Sequence, residues 1–402
     1  MKSFEKTVYV LFNESLNTSE SGGWPPRVLQ VGNGVGLISD QFSLCRTFSM
    51  SLTKYHPELL TEDLAHASYA YVPICGHHHG WKTQKDALRT LVQARQAVAR
   101  YPDVKLFTVF DFPPVLYPHT ELEAEEVDAL RSIVKVSVEA HTGICPVSKI
   151  SWTATRPEGA DATQMTWPEG GLPAACHGCY LPAPYPSITS RLDIVHAKRR
   201  RRTLVHLAAA RRDGGYEASF DGQAGARFLR GLLRAQCRNA SGDCDLINLS
   251  DSWLWGENRS QALGHLLQSK RSSVFCLQPW GDTATRMDLY TSLLSGCIPV
   301  IFHEASFPTG EDAPEPLAVY IQPNQLLQSS VVDLLRRRVD TPQLQRAVAT
   351  YAERFQFPLY NGELQEDAVI MLLRRLHRTM MPPGFPGCVS TTLGSNARSY
   401  SV

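Results

Sequence analysis

The chain has 402 residues, room for two domains rather than one core. Hydrophobic residues make up 43% and charged residues 20%, the balance of a globular protein rather than a disordered one. A formal net charge of +1 leaves no global field to attract nucleic acid or an anionic membrane.

Residues 2–6, Lys-Ser-Phe-Glu-Lys, lead straight into a strand at residues 7–12, so the start does not read as a signal peptide. No stretch approaches the ~18 apolar residues of a membrane helix. A polar, Gly/Pro-rich loop runs to about Pro26. Residues 31–36 are glycine-rich, but the spacing is wrong for a dinucleotide turn and no acidic residue follows a second strand. Residues 40–55 read as a helix, with Phe42, Leu44, Cys45, Phe48 and Leu52 recurring at helical spacing. A strand at 67–73 ends in the loop that carries His77, His78 and His79. A long amphipathic helix at 82–101 and a strand at 104–110 follow, and the strand runs into Asp111-Phe112-Pro113-Pro114. Residues 120–131 read as an acidic helix and 133–140 as another strand.

Residues 153–190 hold many Pro, Gly and Thr and read as an irregular crossing, with 179–186 extended against a domain edge. The basic run 198–202 reads as a solvated linker or as a local anion-binding or processing site. A strand at 203–210 ends in Arg211-Arg212-Asp213-Gly214-Gly215. A helix at 225–237, a strand at 244–249 and a helix at 260–270 follow. The apolar run 274–277 stops at a Pro/Gly turn; then come Asp282, Thr283 and Arg286, a helix, the Gly296-Cys297 turn and a further strand. A short strand at 318–321 and helices at 325–338, 341–355 and 363–378 complete the pattern, and the tail after Pro382 reads as disordered. Strands alternating with helices predict an α/β protein with parallel sheets. The expected domains are 1–190 and 191–382, with a tail at 383–402 and a site in the cleft between the two domains.

Ten cysteines are too few for a disulfide scaffold in a chain this long. Cys176-His177-Gly178-Cys179 has C-x-x-C spacing without a second pair, so zinc is not expected there. Cys237 and Cys244 flank a turn-like insert and could close a small covalent loop in an oxidising compartment. Five N-x-S sequons, at Asn13, Asn17, Asn239, Asn248 and Asn258, among only nine asparagines lean toward a secretory lumen.

The chemistry concentrates after residue 277. In an open parallel sheet, ligands sit outside the carboxyl ends of the strands. Gly281, Asp282 and Thr283 open a helix whose N-terminal N–H groups suit a phosphate. Arg286 can make a bidentate contact to a diphosphate. The bland alternative is that Asp282 or Thr283 caps the helix and Arg286 is a surface residue. Arg211 and Arg212 leave a second strand at the same edge. Asp288 could hold a sugar or ribose hydroxyl, or pair with an arginine.

Residues 273–302 resemble the signature of the exostosin-like family, glycosyltransferase family 47. The matches are Ser273, Phe275, Cys276, Leu277, Pro279, Gly281, Asp282, Arg286, Gly296, Cys297, Ile298, Pro299 and Val300. The chain is most similar to the plant xyloglucan galactosyltransferase branch, which tends to read L-Q-P-P-G-D where this chain has Leu277-Gln278-Pro279-Trp280-Gly281-Asp282. Weaker likeness extends upstream, at Gln41-Phe42, Tyr71-Val72-Pro73, Pro184-Tyr185-Pro186 and the spacing of Cys237 and Cys244. The chain departs from the branch at Met287, where a second arginine is usual, at Leu289-Tyr290, where the family has Phe-Asp, and at Leu207–Ala210.

The resemblance implies a GT-B fold: two Rossmann-like domains whose parallel sheets face a central cleft, with the donor in the C-terminal one. It implies an inverting hexosyl transfer from a UDP-sugar, galactose being the expected sugar, onto a glycan or cell-wall polysaccharide. No cofactor or metal is expected, because arginines and a helix terminus can neutralise the leaving diphosphate. Inversion needs one general base for the acceptor hydroxyl. Asp40, His77 to His79 and Asp111 are the candidates, with Asp111 or His78 preferred. The family is anchored in the Golgi as type II membrane proteins, so membrane association is expected only through an anchor that this chain lacks. Homo- or hetero-oligomers are possible partners. The alternative is a catalytically silent member that binds glycan or supports a partner transferase.

Overall fold

The computed structural model describes residues 8–11, 27–31, 34–38, 44–75, 81–110, 125–126, 129, 133–138, 179–187, 201–210, 222–240, 242–249, 259–280, 285–303, 306–307, 313–358, 366–379 and 389–390. In chain order the first elements are β1 (Val8–Val10), β2 (Arg27–Val31), β3 (Gly34–Ile38), α1 (Leu44–Tyr55), β4 (Tyr69–Ile74), α2 (Trp81–Val98), β5 (Lys105–Phe110), β6 (Val134–Ser137) and β7 (Cys179–Pro182). Next are β8 (Thr203–Ala210), α3 (Gly222–Asn239), β9 (Cys244–Leu249), α4 (Arg259–Ser272), β10 (Ser273–Gln278), α5 (Met287–Leu294) and β11 (Ile298–Ile301). The last are β12 (Val319–Tyr320), α6 (Val331–Arg336), α7 (Thr341–Tyr351), α8 (Ala368–Thr379) and β13 (Val389–Ser390).

The chain divides into two compact units. One holds Met1–Gly23, Phe42–Ala183 and Leu372–Val402; the other holds Trp24–Gln41 and Pro184–Met371. The first unit carries a sheet of order β1-β4-β5-β6-β7-β13, parallel except for β13, which runs antiparallel to β7. The second carries a wholly parallel sheet of order β12-β11-β10-β8-β9. The expected α/β class and the two Rossmann-like parallel sheets of the GT-B class are borne out.

Three segments differ from the sequence reading. Arg27–Val31 and Gly34–Ile38 form an antiparallel pair, with Val31 opposite Gly34, where the sequence reading placed no strand around its glycine-rich residues 31–36. Cys179–Pro182 is a full strand lying between β6 and β13 rather than an extended edge. Val389–Ser390, within the tail expected to be disordered, pairs with that strand.

The first unit is organised by burial on both faces of its sheet, as parallel sheets require. All six residues of β4 are buried. Helix α1 places Leu44, Cys45, Phe48 and Leu52 inward. Phe48 meets the Tyr71 ring edge-on at 5.2 Å, and Tyr71 stacks on Phe107 at 5.1 Å. The Tyr71 hydroxyl is satisfied by Ser49 Oγ at 2.7 Å. A Cys45–Cys75 disulfide ties α1 to the end of β4.

A lysine interrupts this apolar pattern. Lys135 lies mid-strand in β6, opposite Thr108 and Tyr180, and is fully buried. Its Nζ donates to the Ile133 carbonyl at 3.3 Å. Burial pushes its ammonium down to about 7. Lys135→Met is expected to raise stability at pH 7 by about 2 kcal/mol, since a buried charge is replaced by an apolar side chain of similar volume. The folded state binds the proton more weakly than the unfolded chain does. Wild-type stability should therefore climb as pH rises from about 7 toward the ordinary lysine value of 10.5, and the variant should lack that climb. Urea denaturation at pH 7 and pH 9.5 checks both. A variant less stable than wild type at pH 7 would show that the ammonium is well accommodated.

Candidate functional site

Strand β10 pairs with β8 on one side and β11 on the other, so its apolar run is enclosed. It ends at Gln278, which is 2% exposed. The chain leaves the sheet through Pro279 and Trp280. Two arginines fix that exit. Arg286 Nη1 donates to the Pro279 carbonyl at 2.9 Å, and Arg230 Nη2, from α3, donates to the Trp280 carbonyl at 3.0 Å. Arg286 sits at the N-cap position of α5 in extended conformation (φ −150°, ψ 148°), half-buried. Arg286 therefore stands at the turn where a helix leaves N–H groups without intrahelical partners.

Beneath this exit lies a buried polar cluster. Lys270, the penultimate turn of α4, is fully buried, and its Nζ donates to Asp288 Oδ2 and to Ser292 Oγ, both at 2.8 Å. Gln278 Nε2 donates to the same two atoms, at 3.0 and 2.9 Å. Asp288 and Ser292 stand one turn apart on α5, so a single helix face receives both donors. Burial alone raises the Asp288 carboxyl. The Lys270 ammonium and the Arg286 guanidinium outweigh it, and the carboxyl is held at about 2. Burial pulls the Lys270 ammonium down, while its carboxylate partner pulls it back. The cluster is an ion pair with hydrogen-bonded flanks, the form in which a buried charge is tolerated.

The far end of α5 is set by backbone chemistry. Gly296 has φ 71°, a left-handed conformation that glycine adopts without cost. Gly296 N–H reaches the Leu293 carbonyl at 2.8 Å and Cys297 N–H reaches that of Ser292 at 3.0 Å, a Schellman terminator. Cys297 is bonded to Cys276, so a disulfide between fully buried cysteines staples β11 to β10. Such a closure contributes about 3 kcal/mol. Cys237 and Cys244 also form a disulfide, as their spacing suggested. Three bridges occur among the described residues, and they tie together elements of units that already have apolar cores. Two of them join segments 30 and 21 residues apart, a pairing set by the packing of elements and not by local spacing.

Among the sequence candidates, Arg286 and Asp288 are placed together, with Asp288 paired to Lys270 rather than to an arginine. Gly281, Asp282, Thr283, Arg211, Arg212, His78 and Asp111 lie outside the described residues, as does Asp40. Lys270, Gln278, Ser292 and Arg230 escaped the sequence reading. The signal that could have found Gln278 and Ser292 is a polar Gln closing an apolar strand, followed by an acid and a serine at helical spacing. Arg201 was also missed. It belongs to the basic run read as solvated, yet its Nη1 donates to the Lys270 carbonyl at 3.2 Å and to that of Ser273, and burial lowers it to about 10. Among the described residues, no group of three or more His, Cys, Asp or Glu could hold a metal ion.

A second buried polar chain adjoins the first. His206, in β8, is 1% exposed, and its Nδ1 lies 2.7 Å from Ser269 Oγ, which itself donates to Asp245. Burial, reinforced by the Lys270 charge, pushes His206 down to about 3. The imidazole is therefore neutral in the fold, while the unfolded chain takes up a proton near the ordinary 6.5. Its contribution is complete above that value and is lost as pH falls toward about 3, on the order of 4 kcal/mol. His206→Asn is expected to flatten the acid limb of the stability curve between pH 6.5 and 4. Denaturation midpoints across that range test it, and an unchanged slope would place the acid lability elsewhere.

Residues 176–337 match the Exostosin GT47 domain, so the family resemblance read from residues 273–302 is borne out across that stretch. A xyloglucan-specific galacturonosyltransferase 1 of Arabidopsis thaliana is 38% identical over 102 residues, covering 25% of this chain and 13% of its own length. A xyloglucan galactosyltransferase of the same plant is 40% identical over 84 residues, covering 20% of this chain and 12% of its own length. A second xyloglucan galactosyltransferase is 31% identical over 146 residues, covering 35% of this chain and 25% of its own length. The matches thus span a quarter or less of these relatives. Among solved structures, a sucrose-phosphate synthase from Thermosynechococcus elongatus aligns over 93% of this chain and 98% of its own, with 10% identity and a TM-score of 0.35. A likeness at that level says nothing of chemistry.

Proposed function

We propose that the chain is an inverting glycosyltransferase that moves galactose from UDP-galactose onto a glycan or cell-wall polysaccharide. The observation that carries this reading is Arg286, held by the Pro279 carbonyl at the first turn of α5, on the carboxyl side of a parallel sheet within the matched exostosin stretch. A guanidinium beside unpaired helix N–H groups neutralises a leaving diphosphate without a metal. In the reaction the acceptor oxygen bonds to the anomeric carbon, the bond from that carbon to the diphosphate oxygen breaks, and UDP departs. A base from the N-terminal unit, Asp111 or His78, takes the acceptor proton. Arg211, Arg212, Asp282 and Thr283 are proposed as further donor contacts.

The proposed compartment is the Golgi lumen. Three disulfides among the described residues suit an oxidising compartment. The sequon asparagines Asn239 and Asn248 are both exposed, as glycan attachment requires. No helix among the described residues is long and apolar enough to cross a membrane.

The test is a binding screen with UDP- and GDP-sugars, followed by transfer from the sugars that bind onto a glycan array. Binding and transfer of galactose from UDP-galactose is the expected result. No sugar nucleotide bound would sink the reading. Binding without transfer would favour the silent alternative, to which Met287 at the usual second-arginine position points.

A further inference from the structure

We propose that Trp280, braced by His303, is the platform on which the sugar ring of the bound donor rests, and that it sets which sugar is accepted. The inference rests on the reading of the chain as a UDP-sugar transferase and names a residue of that same site.

Trp280 and His303 follow the carboxyl ends of the adjacent parallel strands β10 and β11, which pair in register from Phe275 opposite Ile298 to Gln278 opposite Ile301. That edge is where an open parallel sheet receives its ligand. The indole and imidazole meet edge to face, with centroids 6.2 Å apart and planes at 74°. Both side chains are half-buried, neither sealed in the core nor freely solvated. The backbone beneath the indole is held on two sides: Arg230 binds the Trp280 carbonyl at 3.0 Å and Arg286 binds the Pro279 carbonyl at 2.9 Å. An aromatic ring kept partly exposed and rigidly mounted at a ligand edge is an anchor of the kind that dominates recognition sites.

Its chemistry selects the part of the donor it can take. An indole face carries no charge for the diphosphate, but it packs well on the C–H face of a pyranose. The guanidinium proposed for the diphosphate is hydrogen-bonded to the residue next to Trp280. In a UDP-sugar, the sugar is bonded directly to the diphosphate, whereas the uracil is set off from it by the ribose. Of the sugar and the base, the ring nearer the Arg286 anchor is therefore the sugar. The position is also one where the chain differs from the branch it resembles, which tends to carry proline there, so it is a place where sugar preference can differ.

The test is calorimetric titration of the whole chain with UDP, UDP-galactose, UDP-glucose and UDP-galacturonic acid, for wild type, Trp280→Ala and Trp280→Phe, with thermal unfolding as a check on folding. The expected result is that Trp280→Ala weakens the tightest-binding sugar nucleotide about three- to tenfold. UDP itself should change less than twofold, and Trp280→Phe should restore most of the loss. An equal loss for UDP and UDP-sugar would make the indole a base platform and overturn the proposal, as would no loss for either. Wild type that binds UDP while the variants bind as wild type sinks this inference alone. Wild type that binds none of the four ligands sinks the transferase reading, and this inference with it.

Discussion

Arg286→Ala is expected to weaken UDP binding about a hundredfold, roughly 3 kcal/mol, while leaving the protein folded. A bidentate, charge-assisted contact to a diphosphate is worth about this much once it is shielded from water. The structural loss is smaller. Among the contacts described, the substitution removes one hydrogen bond to the Pro279 carbonyl, at 2.9 Å, which contributes about 1 kcal/mol, and part of the charge support of Asp288, whose ion pair with Lys270 remains. Affinity and stability should therefore separate: UDP titration shows the large change and thermal unfolding a small one. Arg286→Lys keeps the charge but loses the planar fork, so it should fall between the two, nearer to alanine. UDP affinity unaltered in a folded alanine variant would remove Arg286 from the donor site.

Lys270→Met carries the second large effect, on stability. It leaves Asp288 with only Gln278 as a donor among the contacts described, in a place where burial disfavours its charge. Removing one partner of a buried ion pair costs about 3 kcal/mol or more, because the remaining charge stays desolvated. In the wild type the Asp288 carboxyl, held at about 2, contributes stability that is present above the ordinary value of 3.8 and lost as pH falls toward 2. In Lys270→Met the carboxyl is pushed up instead, so the variant should lose stability at neutral pH and regain part of it on mild acidification. The double variant Lys270→Met, Asp288→Leu should recover most of the loss, since both charges are gone together. Urea denaturation at pH 7 and pH 5 reads all three. A single variant within about 0.5 kcal/mol of wild type would show that the pair is not a significant element of the fold.

The two predictions bear on the same helix and divide its functions. Asp288 and Ser292 hold α5 down onto Lys270 and Gln278; Arg286 stands at its tip. Much of the signature that carries the family resemblance turns out to be scaffold. Cys276 and Cys297 form a disulfide, Gly296 terminates the helix at φ 71°, and Ile298, Pro299 and Val300 are buried strand. The proposed donor contacts fall largely in the short segment between Pro279 and Asp288.

The strands of the second unit were legible because a parallel sheet buries both faces, so residues 204–210, interrupted only by His206, and the runs 274–277 and 298–300 stand out as apolar. Gly296 was legible as a turn because only a residue without a side chain passes easily into the left-handed region. The Cys237–Cys244 bridge was legible because its ends are seven residues apart across a turn. Lys270 and Asp288 were not, because their contact spans 18 residues and depends on how α4 and α5 pack on β10. Arg201 looked like one charge in a solvated run. Its burial follows from the register in which β8 meets the start of β10, where Ser273 lies opposite Thr203. Nor did anything in the sequence bring Trp280 to His303, which are neighbours only because their strands are.

By itself, then, the sequence determined the α/β class, the strand–loop–helix order around residues 273–302, and Arg286 as the residue to watch. Those follow from local rules: apolar periodicity records which faces leave water, and glycine and proline record where the backbone turns. Only the tertiary structure decided that Asp288 answers Lys270, that Cys276 answers Cys297, and that two arginines grip the exit of β10. A buried charge or thiol finds its partner by proximity in space, and proximity in space is set by packing and sheet register, which no local pattern records.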